Sequence, residues 1–122
     1  MMLKYLNEQL SSIINYELGQ WNGKIAFPFW VGEYQEIYYS YEQEYKEYAF
    51  TLTGTNRGTW SQLEEDKNKI QKLFANNTAV LEDGSSVAVF YETAYMIPSE
   101  DAEIRRMHIQ LNVKEWRTNN GD

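Results

Sequence analysis

One histidine, no cysteine and a crowd of glutamates are the side chains of this sequence that could do chemistry. His108 is the only residue whose ordinary pKa lies near neutral pH. It sits between Arg106 and Gln110 in an alternating segment, and nothing around it resembles a Ser-His-Asp pattern. It reads as a solvent-facing strand residue. The absence of Cys removes disulfides, thiol catalysis and thiolate metal sites, and a single His cannot build a two-His motif. A paired-carboxylate hydrolase needs two carboxyls fixed in a cleft. Glu33, Glu36, Glu42, Glu44 and Glu47 supply the carboxyls, but their aromatic setting reads as a solvated acidic edge. Glu64-Glu65-Asp66 reads as the charge cluster of a helix N-terminus. Gly54-Thr55-Asn56-Arg57-Gly58-Thr59 precedes a helix start, where backbone donors can hold an anion. It matches neither phosphate-loop fingerprint and reads as a tight turn. No catalytic, cofactor-binding or metal-ligating residue is assigned, and no cofactor is expected.

Aromatic residues are the stronger signal. They make up 16% of the chain, and Tyr34, Tyr38, Tyr39, Tyr41 and Tyr45 fall among glutamates. Stacking of single-stranded nucleic acid would use aromatics but wants basic neighbours, and between residues 33 and 47 the only one is Lys46. A protein–protein surface suits the segment better, because interfaces are enriched in Tyr and Trp. The candidate interface residues are Tyr34, Glu36, Tyr38, Tyr39, Tyr41, Glu44 and Tyr45. A basic set of Arg105, Arg106, Lys114 and Arg117 is the matching charge.

The chain that must position them has 122 residues and a formal charge of −7. That length suits one domain, and 43% hydrophobic residues suffice for a core. The net negative charge removes the usual drive for general nucleic-acid binding. No stretch approaches the roughly 18 apolar residues of a membrane span, and mean hydropathy is −0.65. Asn7, Glu8 and Gln9 interrupt the apolar residues after Met1-Met2-Leu3-Lys4. No signal peptide is therefore expected, and synthesis inside the cell is the default.

Leu3, Leu6, Leu10, Ile13, Ile14 and Leu18 recur at helical spacing and predict a helix over 3–18 ended by Gly19. Residues 20–28 read as a connection. Aromatic content predicts strands near 29–40 and 46–55. Tyr41–Lys46, without Gly or Asn, reads as a loose, mobile connection. Residues 54–58 read as a loop. Ser61 and Glu64 fit a capping box for a helix over 61–75. Asp83-Gly84 predicts a hairpin over 78–97, closed by Pro98. Met107, Ile109, Leu111 and Val113 alternate with polar residues, which describes a strand with one dry and one wet face. The expected architecture is α+β: two helices packed on one face of a mostly antiparallel sheet of four or five strands. Residues 1–117 form the single domain, with 118–122 as a frayed tail.

Several strings are similar to those of one protein group. Thr51-Leu52-Thr53-Gly54-Thr55-Asn56-Arg57-Gly58 is followed by Trp60 and Leu63-Glu64-Glu65-Asp66-Lys67. Val87-Ala88-Val89-Phe90-Tyr91-Glu92, Ile97-Pro98-Ser99-Glu100-Asp101-Ala102-Glu103 and Val113-Lys114-Glu115-Trp116 come later. Over most of residues 10–117 the chain resembles small prophage proteins of long-tailed bacteriophages, the tail-terminator, tail-completion or head–tail joining proteins. The resemblance implies an α+β domain that forms a homo-oligomeric ring, usually a hexamer. That ring caps the tail tube where the head attaches and contacts tail-tube and head-completion proteins in the virion. It implies no enzyme activity and no active-site residues. Two other readings remain. One is an enzyme or small-molecule binder using an aromatic pocket with Glu carboxylates. The other is an acidic DNA mimic, for which the carboxylates are dilute.

Overall fold

A computed structural model describes residues 2–117, so the expected tail at 118–122 lies outside the described residues. The order is α1 (Met2–Ser11), β1 (Tyr16–Leu18), β2 (Phe29–Ser40), β3 (Tyr45–Arg57), α2 (Ser61–Leu73), β4 (Asn77–Val80), β5 (Ser86–Ile97) and β6 (Ile104–Trp116). The α+β class holds, but the sheet has six strands rather than four or five, in the order β1-β2-β3-β6-β5-β4. Every neighbouring pair is antiparallel except β1 with β2. Among the described residues no helix is long and apolar enough to cross a membrane.

The extra strand comes from the expected first helix. That helix stops at Ser11, and the chain turns back so that Tyr16, Glu17 and Leu18 run beside Trp30, Val31 and Gly32. Ser11-Ser12, the β-branched pair Ile13-Ile14 and Asn15 are all mediocre helix formers. Ile14, Tyr16 and Leu18 also alternate, and Ile14 and Tyr16 are buried, so a strand satisfies the same apolar residues. Gly19 ends this strand rather than a helix. It has φ +84° and donates its N–H to the Gly32 carbonyl at 2.8 Å.

Three further expectations change. Gly54–Arg57 continue β3 instead of forming a loop. Ser61 is not a cap: the N-cap position is Trp60, without a side-chain cap bond, and the Ser61 hydroxyl lies 3.1 Å from that of Thr59. The Tyr41–Glu44 connection is a compact hairpin turn, with Glu44 taking the φ of 49° that Gly or Asn would usually supply.

The core follows the alternation of β3 and β6. Tyr48, Phe50 and Leu52 are buried and lie opposite Val113, Leu111 and Ile109, with Met107 opposite Gly54. Met2, Leu6 and Leu10 of α1 and Leu63 and Ile70 of α2 join the same cluster, with Phe74 just beyond α2. On the other side of β6, Arg106 is exposed and His108, Gln110 and Lys114 are half-buried.

Candidate functional site

The tyrosine-rich segment is the β2–β3 hairpin. Tyr34, Tyr38 and Tyr39 are each about half exposed and Tyr41 is 82% exposed. Register places Tyr38 opposite Glu47 and Tyr39 opposite Lys46, after a bulge between Glu36 and Tyr38. Successive strand residues point to opposite faces, so the two tyrosines present different sides of the hairpin. On one side Tyr38, Tyr45 and Trp116 form a run, with ring centroids 5.7 Å and 5.3 Å apart. Elsewhere on the hairpin Tyr34 meets Tyr48 edge-on at 5.8 Å, Tyr39 meets Tyr41 at 6.3 Å, and the Lys46 ammonium sits 5.5 Å from the Tyr39 ring.

Two of the carboxylates here, Glu47 and Glu36, have side-chain partners. The Tyr45 hydroxyl donates to Glu47 at 2.6 Å, and the Asn112 amide donates to its other oxygen at 2.7 Å. These two bonds favour the charged form and hold Glu47 below the usual carboxylate range. Burial, then the bond to Glu47, pushes Tyr45 up to about 12. Tyr48 is likewise pushed up to about 12, by burial and then the charges of Glu115 and Glu36. Glu36 lies 3.9 Å from Lys46, both exposed, which makes a weak surface pair.

The four basic candidates do not form one patch. Lys114 faces Glu47 across the β3–β6 ladder. The Arg117 backbone donates to the Glu44 carbonyl at 3.0 Å. Arg117 lines a cleft of about 130 Å³ with Tyr39, Glu44, Lys46 and Glu115. Lys114 and Arg117 thus stand beside the acidic hairpin of their own chain. Arg105 and Arg106 lie opposite Asn56 and Thr55 at the far end of β6, about 27 Å away at strand spacing. They also point to opposite faces. Arg105 lies over Trp60, 6.0 Å from the ring, and bonds the Ala102 carbonyl, while Arg106 is exposed.

The chemical candidates find local roles. His108 Nδ1 lies 3.0 Å from the Tyr95 hydroxyl, and burial together with Arg106 lowers its pKa. At the strand-to-helix turn Asn56 is buried and its amide donates to the Thr59 carbonyl at 2.8 Å. Among the described residues no group of three or more His, Asp or Glu is placed to hold a metal ion. One buried polar pair was not expected. Asp66 accepts from the Trp30 indole N–H at 2.9 Å, and burial raises its pKa. Its position was visible as a carboxylate on the apolar stripe between Leu63 and Ile70.

No protein-family model and no curated protein matches the chain.

Proposed function

We propose that this protein is a structural subunit of a tailed-phage virion, the tail terminator or head–tail joining protein. It acts by assembling into a ring at the end of the tail tube rather than by catalysis. The sequence resemblance motivates the reading. The observation that carries it is the β2–β3 hairpin, which holds four half- to fully exposed tyrosines along one strand and its turn. Exposed tyrosine at this density is the composition of a protein interface. On this reading the partners are other copies of the chain, six in the ring the resemblance implies, together with the tail tube and a head-completion protein. The site of action is the neck of the virion.

The division of the basic residues refines the expected charge pairing. Lys114 and Arg117 are adjacent to the acidic hairpin within one subunit, so they do not serve as the neighbour's counter-surface. Of the four basic candidates, Arg106, exposed at the opposite end of the sheet, is the one that the acidic hairpin of the next subunit would meet. Two different patches then complement each other, as a ring requires. The pocket reading has less to draw on. The cleft beside Tyr39 and Glu44 holds only about 130 Å³, and the one that combines an aromatic ring with a carboxylate and His108, about 410 Å³ beside Glu33 and Tyr34, is an open depression on the polar face of the sheet rather than an enclosed site. Disrupting the coding sequence in the parental phage tests the proposal: heads and tails should fail to join. Infectious particles of normal tail length would count against it.

A further inference from the structure

Both margins of the sheet are only half covered. β1 pairs with β2 at Trp30–Gly32 alone, leaving Glu33–Ser40 as an open edge. β4 pairs with β5 at Ser86–Val89 alone, leaving Phe90–Ile97 open. The outward backbone groups of both stretches have no hydrogen-bond partner among the described residues. The two open stretches have the same length and lie on opposite margins, at opposite ends of the sheet. Exposed large apolar side chains gather on them: Tyr34, Ile37, Tyr38 and Tyr39 on one, Phe90, Tyr95 and Met96 on the other. Neither stretch contains the Lys or Pro that commonly blunts a strand edge. Each carries one bulge, at Ile37 and at Glu92.

We infer that copies of this chain join by strand addition. The open half of β2 in one copy pairs with the open half of β5 in the next, so that the sheet continues across the interface. Strand sense favours it. Three antiparallel steps separate β2 from β5, so the two run in opposite directions. Copies placed side by side in the same orientation therefore meet as an antiparallel pair. A stagger of about half a strand brings the open halves together, a shear that tilted strands accommodate in closed assemblies. Charge favours the same choice. The β2 edge carries Glu33 and Glu36, whereas the open half of β5 carries one carboxylate, Glu92, and is backed at its far end by Arg106 on β6, directly opposite Ile97. Pairing β2 with a second β2 would set glutamates against glutamates, which is destabilising. The inference rests on the ring reading for its direction, since head-to-tail pairing propagates whereas edge pairing about a two-fold axis stops at a dimer.

The absence of cysteine makes the test clean. Tyr34→Cys and Met96→Cys, which the antiparallel pairing sets opposite each other and which are 50% and 62% exposed, are each made singly and treated with a short bis-maleimide, alone and mixed. Cross-linked dimer should form in the mixture and not in either variant alone. The double variant should give a ladder beyond dimer. Adding Ile37→Lys to both partners, at a 48% exposed position, should weaken association on the order of ten-fold while circular dichroism stays unchanged. Cross-linking within a single variant overturns the pairing in favour of a two-fold contact. A mixture that stays uncross-linked overturns it too, whether light scattering shows larger particles or monomer at millimolar concentration. The phage reading fails separately, if particles assemble normally without the protein.

Discussion

The indole of Trp30 lies flat over Gly54, so close that a Cβ at residue 54 would come within 2.6 Å of the ring. Trp30 is fully buried and anchored by its N–H to Asp66. A strand glycine is here a docking plate for a large side chain. Gly54→Ala should destabilise the fold by about 1–3 kcal/mol as an overpacking change, seen as a lower urea midpoint. An unchanged midpoint would contradict the contact.

Asp66 separates two substitutions. Its folded pKa is raised by burial, so the stability it contributes is full below the unfolded value of about 3.9 and is lost as pH rises through the folded value. Asp66→Asn keeps an acceptor for the Trp30 N–H and carries no charge. At pH 7 it should be at least as stable as the parent, and its stability should depend less on pH between 4 and 7. Asp66→Ala leaves the indole N–H unpaired and should cost roughly 1–3 kcal/mol. Urea titrations of both variants at pH 4 and pH 7 check the sign.

Leu111→Ala should cost roughly 2–5 kcal/mol, because Leu111 is fully buried between Phe50 and Tyr91 on the flanking strands. This face was legible in the sequence, since strict alternation over Arg106–Lys114 leaves one register. The end of α1 was not. Ile13, Ile14 and Leu18 fit a helical stripe and a strand equally, and only the long-range pairing with β2 decides. The role of Gly54 depends on Trp30 across the ladder, and the scatter of the basic residues depends on a strand whose two ends serve different surfaces. The open edges are likewise a property of strand order, which no local pattern encodes.

Glu44 occupies the left-handed region at φ 49°. Glu44→Gly should raise stability by about 0.5 kcal/mol, the relief of αL strain less the greater chain entropy of Gly. Amide exchange across Tyr41–Glu44 should also be faster than in Tyr45 and Lys46, which are paired on both sides in the sheet, because the turn lacks the residues that favour its geometry. Slow exchange there would contradict that reading of the connection.

Glu36→Lys with Glu44→Lys should weaken self-association and reduce its salt dependence, since rim charges tune association rate more than final affinity. Adding Arg106→Glu should restore part of the loss. Adding Arg117→Glu instead should restore less, because Arg117 already lies beside Glu44 in its own chain. Concentration-dependent light scattering on the set distinguishes the two rescues, and equal rescue by both would contradict the assignment of Arg106.

The most direct measurement of the proposed role is electron microscopy of particles produced when the parental phage lacks this protein. Filled heads separate from tails, tails of irregular length, and recovery of joined particles when the protein is supplied in trans are the expected result. Normal-length tails joined to heads in its absence would contradict it.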